Sequence, residues 1–430
     1  MHHPEPHHGA SGGCEEYRAL DRRRFIGMTS MSAMAAALPS WFPEVRLAQS
    51  QDSARDIVVS VFMRGGADGL TLVAPYGDPT YYAVRPTIAV PRPDSTSPNR
   101  GTALDDFFML PPGMVALLPA YRAGQLAIVH AAGQRYSTSR SHFEAERYLE
   151  QGKPDDYSLE SGWLARHLAS SRPLDPSASM RAVSLTGGMP RTLQGGPKTL
   201  PVPNPANFSL NTPHELALQR LFASAWAPLR SAALDGLATI NVMRGLNFPG
   251  YQPANGARYD DNQMGNSMRA IATMIRGEIG LEAAHVDYGG WDTHNQQGSV
   301  GNGGAMATSM TEFSRALAAF WQDIMQGPQA IRVTLVVATE FGRNVRENGS
   351  MGTDHGRAGV MFVMGPAVRG GRVFGDWPGI AREQLEDGQD LRVTTDTRDI
   401  LAELVQARLN NPNQSLIFPN YVPRFRGVFL

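Results

Sequence analysis

Strand-length apolar runs alternate with helical repeats along most of this chain, and the alternation limits the folds open to it. The apolar runs lie in the segments DIVVSVFMRGGADGL, GQLAIVHAAG, IGLEAAHVDYGGWDTHNQQG, IRVTLVVATEFGR and GVMFVMG. Helical periodicity occupies HELALQRLFASAWAPLRSAALDGLATINVM, NQMGNSMRAIATMIRGE, MTEFSRALAAFWQDIMQ and DTRDILAELVQARL. This order predicts an α/β fold with a mainly parallel sheet and helices on both faces.

The first fifty residues differ from this pattern and resemble an export signal. Arg22 and Arg23 precede a stretch of small apolar residues that ends in AQS, and Asp21 stands where serine or threonine is commoner in twin-arginine signals. We therefore predict a twin-arginine signal peptide over residues 1–50, cleaved after Ser50 or, with equal compatibility, after Ala48. Its apolar run is too short and too weak for a stable membrane span.

This signal implies that the chain contacts the twin-arginine export machinery and that the mature protein is periplasmic or secreted. The remaining residues, 51–430, are expected to form a single domain. The hydrophobic content of 42% is by itself enough for one large domain or two small ones. Residues 186–211 are rich in Gly, Pro, Asn and Thr, and they predict a loop-rich insertion that shapes the substrate pocket.

Charge and cysteine content exclude several functions. The whole chain has 39 Lys and Arg against 40 Asp and Glu, and residues 1–50 hold five of each, which leaves 34 against 35. A near-neutral protein does not attract nucleic acid, so we predict no nucleic-acid partner. The only cysteine, Cys14, lies in the predicted signal, which excludes disulfides, thiol nucleophiles and zinc–sulfur sites in the mature chain.

Carboxylates and imidazoles follow several predicted strands. Because parallel strands end at one edge of a sheet, the loops that follow them are expected to converge there. Carboxylate oxygens and imidazole nitrogens suit Zn²⁺ or Mn²⁺, with Mg²⁺ or Ca²⁺ as further candidates. Two ions need roughly five to seven ligands, and the candidates are Asp68, Asp292, His294, Glu340, Asp354 and His355.

Each of these motifs also has a structural interpretation. Asp68 in GGADG is typical of a tight turn, and TDHG is compatible with an Asx-turn. Asp292 and His294 in GGWDTH are compatible with capping of the segment that follows. The convergence of several motifs at one sheet edge favours the metal site.

The segments RGGADGL, RSHFEA, GGWDTH, EFGR and GTDHG, in this order behind a twin-arginine leader, resemble the exported DUF1501 family. That family looks like a distant branch of the alkaline phosphatase/sulfatase superfamily. The resemblance implies an alkaline-phosphatase-like three-layer sandwich and a site with an oxygen nucleophile and one or two divalent metal ions.

Under this resemblance Asp68 matches the superfamily ligand after the first strand, and Asp292 with His294 matches the ligands of one ion. Glu340 follows the strand where the superfamily commonly has Asp-His, but Phe341 replaces that histidine. Asp354 and His355 are expected to supply the missing ligands.

Ser141 is the best match to the nucleophile, with Ser137, Thr138 and Ser139 as close alternatives. At the start of a helix, its alkoxide would be stabilised by backbone N–H groups and the helix dipole. The spacing of Ser141 and Glu144 equally describes an ordinary N-terminal capping box.

Three further residues complete the predicted site. His142 is interpreted as a proton shuttle, a ligand or a packed helix residue. Arg140 and Arg343 are candidates to bind the oxyanion of the transferred group, although arginines at strand ends also form routine ion pairs. YSTSR places Tyr136 where sulfatases oxidise Cys or Ser to formylglycine, so ordinary sulfatase chemistry is not expected.

The combined pattern predicts an exported metal-dependent hydrolase of phosphate esters, or less favourably of sulfate esters, with an ester or envelope-derived substrate. The alternative is a non-catalytic envelope binding or assembly protein that keeps the fold. Phe341 at an expected ligand position favours this alternative somewhat.

Overall fold

A computed structural model describes residues 55–154, 156–208, 215–298, 304–328 and 330–430. The predicted signal peptide, residues 1–50, and the end of the predicted insertion, residues 209–211, lie outside the described residues. Within the described ranges the strands are β1 (Ile57–Met63), β2 (Thr102–Ala103), β3 (Met109–Leu110), β4 (Leu126–Gly133), β5 (Ala182–Ser184), β6 (Thr199–Pro201), β7 (Ala283–Tyr288), β8 (Val333–Thr339), β9 (Gly359–Met364), β10 (Arg372–Phe374) and β11 (Thr395–Asp396).

The main sheet has nine strands, and eight of them follow the order β10-β4-β9-β8-β1-β7-β5-β6. The ninth, β11, pairs with β4, while β2 and β3 form a separate small sheet. β9 runs antiparallel to both of its neighbours, β4 and β8, and the other pairings of the main sheet are parallel. The predicted mainly parallel sheet is therefore confirmed.

The strands at the centre of this sheet are buried on both faces. Along β1, Val59 and Val61 belong to one hydrophobic core, whereas Val58 belongs to the other. This alternation follows from the period of two in a strand, and it explains why the central strands are almost continuously apolar.

Helices cover both faces and complete a three-layer α/β architecture. Met268 and Phe313 come from helices of the first core, whereas Trp163 and Leu404 come from helices of the second. Among the described residues, no helix combines the length and apolarity needed to cross a bilayer. The helices are α1 (Gly69–Leu72), α2 (Tyr81–Val84), α3 (Leu118–Arg122), α4 (His142–Gln151), α5 (Trp163–Ala169), α6 (Glu215–Ala223), α7 (Ala227–Gly245), α8 (Gln263–Arg276), α9 (Ala305–Ile324), α10 (Thr397–Ala407) and α11 (Gln414–Ile417).

The predicted insertion differs from expectation, because its described part contributes to the sheet and the core. β6 pairs in parallel with β5, and the side chains of Leu193 and Val202 are fully buried. Residues 186–187 and 203–206 lie on the surface of a cavity of about 720 Å³, together with Asp287 of β7. The segment therefore contributes an edge strand of the main sheet and part of the wall of this cavity.

β8 and β9 are adjacent antiparallel strands, and residues 340–358 connect them in a long hairpin. Arg343 pairs with His355 in an antiparallel bridge, and the Asn344 N–H donates to the Asp354 carbonyl at 2.9 Å. A Cβ on Gly342 would lie 1.8 Å from the carbonyl oxygen of Ala358, so this position requires glycine. The hairpin thereby holds the segment GTDHG beside the ends of β1, β7 and β8.

Candidate metal centre

Three histidine side chains converge on one carboxylate oxygen, Oδ1 of Asp292. The Nε2 atoms of His294, His355 and His142 lie 3.0, 3.5 and 3.7 Å from it. The Nε2 atoms of His294 and His355 are 3.0 Å apart. These four residues come from the start of α4, the loop after β7 and the β8–β9 hairpin, so the fold assembles the group from three separate segments.

The other ring nitrogen of each histidine, Nδ1, faces an oxygen that can only accept a hydrogen bond. This oxygen belongs to a carboxylate for two histidines and to a backbone carbonyl for the third. A neutral imidazole with such a partner carries its hydrogen on Nδ1, which leaves the lone pair on Nε2. All three lone pairs are thus directed toward Asp292. The Nδ1 contacts are His142 to Glu340 Oε1 at 2.7 Å, His294 to Asp354 Oδ1 at 2.9 Å, and His355 to the Arg140 carbonyl oxygen at 2.8 Å.

The electrostatics of this group favour a positive charge at its centre. Burial lowers the pKa of His142, but hydrogen bonds and charge from Asp292 and Glu340 outweigh burial and raise that pKa to about 9. Hydrogen bonding to Asp292 likewise raises the pKa of His294. Burial raises the pKa of Asp292, yet the three histidines, which donate hydrogen bonds to it when they are protonated, and the charge of Arg343 hold it far below its usual range.

A proton or a metal cation supplies such a charge. Three imidazole nitrogens and one carboxylate oxygen match the donor set that Zn²⁺ takes with four ligands, and Mn²⁺ accepts the same donors. Mg²⁺ and Ca²⁺ fit less well, because both prefer a shell of oxygen atoms. Among the described residues, the ligand atoms of His142, Asp292 and His355 all lie within 4.8 Å of one another, and His294 Nε2 lies 3.0 Å from both Asp292 Oδ1 and His355 Nε2.

Glu340 and Asp354, both predicted as ligands, lie behind histidines instead of among the converging atoms. Glu340 is buried and also accepts a hydrogen bond from the Gly65 N–H at 2.8 Å. Asp354 accepts a hydrogen bond from the Asn348 amide at 3.1 Å. Each carboxylate orients a ligand ring, an arrangement common around protein-bound metals.

Asp68 is the predicted ligand that the structure places apart from this group. Its two oxygens face the guanidinium of Arg85, and they also accept hydrogen bonds from Thr71 Oγ1 at 2.7 Å and Gln297 Nε2 at 2.7 Å. Burial raises the pKa of Asp68, but Arg85 outweighs burial and lowers it. Asp68 therefore stabilises a buried cation and caps α1.

The two arginines predicted to bind an oxyanion are already engaged. Arg343 has no exposed side-chain surface, and its N–H groups contact the carbonyls of Gly65, Gly66, Trp291 and Thr353 as well as Asp292 at 2.7 Å. Because a guanidinium has five N–H donors, Arg343 retains little capacity for a substrate oxyanion.

Arg140 differs, since its side chain is 37% exposed and pairs with the buried Asp390. Its contact with the candidate metal centre is made by the backbone carbonyl, which orients His355. The guanidinium and the carbonyl of Arg140 thus serve different parts of the site.

Ser141, the predicted nucleophile, occupies the N-cap position of α4, directly before His142. The capping box, the structural alternative for Ser141, does not form, because Ser141 makes no side-chain cap hydrogen bond and Glu144 accepts from Ser139 Oγ at 2.7 Å and from Tyr157 at 2.6 Å. Two of the alternative nucleophiles have local partners, since Ser137 Oγ accepts from the Ser139 N–H at 3.3 Å and Ser139 Oγ donates to Glu144.

A second buried charge cluster was not predicted from the sequence. The guanidinium of Arg64, at the end of β1, lies 2.8 Å from Glu146, 3.2 Å from Glu150 and 2.9 Å from Asp287. Burial and the negative charge of Glu340 raise the pKa of Glu146 to about 7, although Arg64 opposes this. Glu146 and Glu150 are four residues apart on α4, so the sequence indicates that they share one face of the helix. The spacing does not reveal that their partner is Arg64, directly after β1.

Comparison with known proteins places the chain in a family. Residues 55–420 match the family described as "Protein of unknown function (DUF1501)". The chain belongs to the DUF1501 family. The sequence-based resemblance to DUF1501 is thus confirmed over nearly all of the described residues.

Solved structures share limited similarity with this DUF1501 protein, and no curated protein matches it. One is "Ps i-CgsB in complex with k-i-k-neocarrahexaose", with TM-score 0.40 and 8% identity, covering 84% of this chain and 74% of the other. Two are structures of the C-terminal periplasmic domain of EcEptC from Escherichia coli. The one in complex with Zn has TM-score 0.35 and 10% identity, covering 88% and 90%, and the other has TM-score 0.37 and 10% identity, covering 91% and 93%. Similarity at this level carries no argument about chemistry.

Proposed function

We propose that this protein is an exported metal-dependent hydrolase of phosphate esters, with sulfate esters as the less favoured substrates. The observation that carries the proposal is the convergence of three histidine Nε2 atoms on one carboxylate oxygen of Asp292. The arrangement favours one divalent ion, Zn²⁺ or Mn²⁺, held by His142, Asp292, His294 and His355.

A divalent ion in this group would polarise a phosphoryl oxygen and stabilise the negative charge of the leaving oxygen. In the proposed reaction the Ser141 hydroxyl forms a bond to phosphorus while the ester P–O bond breaks, and the serine proton ends on the leaving alcohol. Water then cleaves the Ser141–phosphate bond and releases inorganic phosphate. The N-terminal N–H groups of α4 lie next to Ser141 and favour negative charge there.

Metal analysis combined with turnover tests this proposal. Purified protein, dialysed and then measured for Zn, Mn, Mg and Ca, should hold about one equivalent of metal and hydrolyse 4-nitrophenyl phosphate. Asp292→Asn should lose both properties, whereas Asp376→Asn, at a carboxylate that is 88% exposed, should keep both. Absence of all four metals, with no activity after their addition, would defeat the metal claim.

A second candidate is a non-catalytic binding or assembly protein of the cell envelope. Arg343 is fully engaged and Asp68 is paired with Arg85, so two groups expected to assist catalysis are committed to structure. Tight metal binding without turnover of phosphate monoesters, phosphate diesters or sulfate esters would support this candidate and reject the hydrolase.

Export remains part of the proposal, carried by the twin arginines Arg22 and Arg23 of the sequence. Replacing both with lysine should leave the chain uncleaved inside the cell. Cell fractionation and the mass of the mature protein measure this outcome. Normal export and cleavage of the lysine variant would contradict a twin-arginine route.

A further inference from the structure

A cavity of about 560 Å³ lies between the β8–β9 hairpin, α2 and the loop over residues 380–389. Its volume falls in the range of about 300–1,000 Å³ that is usual for small-molecule sites. The amides of Asn344, Asn348 and Gln389 contribute to its lining, and so does Thr80. The amide N–H groups of Asn344 and Asn348 already donate within the protein, so Gln389 and Thr80 are the uncharged polar side chains of this lining that can hydrogen-bond a ligand.

Two arginines in this lining have no side-chain hydrogen-bond or ion-pair partner among the described residues. Arg346 and Arg382 are both exposed, and neither makes a side-chain hydrogen bond or ion pair with another described residue. This contrasts with Arg85 and Arg343 nearby, whose guanidinium groups are buried and bonded to carboxylates.

The acidic residues of the same lining do not neutralise these arginines. Glu347 accepts hydrogen bonds from the N–H groups of Thr87 and Ile88, each at 3.0 Å. Asp354 accepts from His294 at 2.9 Å and from Asn348 at 3.1 Å. The two guanidinium groups are therefore the charged groups of the lining that remain available to a ligand.

The cavity shares its wall with the candidate metal centre. Asp354 lines the cavity and also orients the ring of His294. The Asn348 amide donates to the His294 carbonyl at 2.9 Å, and the Asn344 amide donates to the His355 carbonyl at 2.8 Å. A ligand in the cavity would thus touch residues that hydrogen-bond directly to two of the proposed metal ligands.

We infer that this cavity binds a second anionic group of the substrate, separate from the group that is transferred at the metal centre. A planar guanidinium binds two oxygens of a phosphate, sulfate or carboxylate at once, and Arg346 and Arg382 supply two such groups. The inference rests on the proposed hydrolase function and gives it a substrate class, esters with at least two anionic groups.

Three matched sugars test this substrate class in steady-state assays of the full chain. Glucose 1-phosphate has one anionic group, while glucose 1,6-bisphosphate adds a phosphate and glucuronic acid 1-phosphate adds a carboxylate. We expect kcat/KM for one or both dianionic compounds to exceed that for glucose 1-phosphate by about tenfold, mainly through KM. Comparing the two dianionic compounds identifies which second anion is preferred.

The double variant Arg346→Gln, Arg382→Gln should bring this ratio close to one. Arg220→Gln, an exposed arginine on α6 away from the cavity, is the matched control and should preserve the ratio. A wild-type ratio near one, or a ratio that the double variant leaves unchanged, overturns the inference.

A binding measurement separates this inference from the hydrolase proposal. Benzenesulfonate and benzene-1,3-disulfonate cannot be hydrolysed as esters, and calorimetry measures their affinity for the purified protein. If no phosphate ester is turned over, the hydrolase proposal fails. The anion site then stands if the disulfonate binds more tightly than the monosulfonate and the double variant removes the difference, and it falls otherwise.

Discussion

Glu340 acts on the candidate metal centre through His142, and at the residue scale this makes its charge testable apart from its shape. Glu340→Gln keeps an oxygen that accepts from the Gly65 N–H and removes the negative charge opposite His142 Nδ1. We expect metal affinity to fall about 10- to 100-fold, the usual effect of losing such a partner, with the fold retained.

Competition with a chromophoric chelator measures the affinity of the Glu340→Gln variant, and circular dichroism measures its fold. His355→Ala, which removes a ligand instead of its partner, should weaken binding further. Equal metal affinity in wild type and Glu340→Gln would show that Glu340 does not contribute to metal binding.

For Asp68 we expect a loss of stability instead of a loss of metal affinity, because its partner is the buried cation of Arg85. Asp68→Ala leaves Arg85 without its carboxylate, and breaking a buried pair costs about 3–5 kcal/mol of unfolding free energy. Urea denaturation should show this loss, while the metal content of the folded protein stays near that of wild type. Loss of metal with unchanged stability would restore Asp68 as a ligand.

Sequence reasoning at this scale identified the right neighbourhood but could not assign the roles within it. Asp292, His294 and His355 were expected together, and the structure brings them together. Which carboxylate faces the centre and which lies behind a histidine depends on side-chain direction across segments far apart in sequence. Spacing near Glu340 contains no information about the position of His142, 198 residues earlier.

At the scale of elements, β4 contains a buried histidine, His130, whose neutral form the folded state favours. The Ala131 N–H donates to Nδ1 of His130 at 2.9 Å, so Nε2 carries the hydrogen and donates to the Val73 carbonyl at 3.0 Å. Burial lowers the pKa of His130 to about 4, with the Val73 carbonyl opposing this. Protonation in the folded state would remove the acceptor that Ala131 uses.

This arrangement predicts acid sensitivity with a defined sign. Below about pH 6.5 His130 binds a proton in the unfolded chain but not in the folded chain. The free energy of unfolding therefore decreases as the pH is lowered from about 6.5 to about 4. The full effect is about 3 kcal/mol, since each pKa unit corresponds to about 1.4 kcal/mol. Denaturation of wild type and His130→Gln between pH 7 and pH 4 should show a steeper loss in wild type, and parallel curves would refute it.

The long apolar strands were predictable, and the short ones were not. β1, β4, β7, β8 and β9 lie within apolar runs of the sequence. β5, β6, β10 and β11 have only two or three residues each, too few for a periodic signal, and their pairing depends on neighbours distant in sequence. The reversed direction of β9 was also not visible, because a buried strand reads the same in both directions.

At the scale of the whole molecule, the sheet holds the candidate metal centre together across its width. The four proposed ligands follow β4 and β7 or lie in the hairpin after β8, and these strands are separated in the sheet by β9 and β1. Predicting such a site from sequence succeeds only in outline, because parallel strands end at one edge while their order in the sheet is set by packing.

Metal removal should therefore lower the stability of the entire domain. An ion that binds the folded state alone contributes about 2.7 kcal/mol when its free concentration is 100 times Kd. Treatment with a chelator, followed by a thermal scan, should lower Tm, and adding Zn²⁺ back should restore it. Asp292→Asn should show no response to either step, because it lacks the carboxylate on which the three histidines converge. A wild-type Tm that is unchanged after verified metal removal would contradict this prediction. It would mean that protein contacts alone hold the loops that follow β4, β7 and β8.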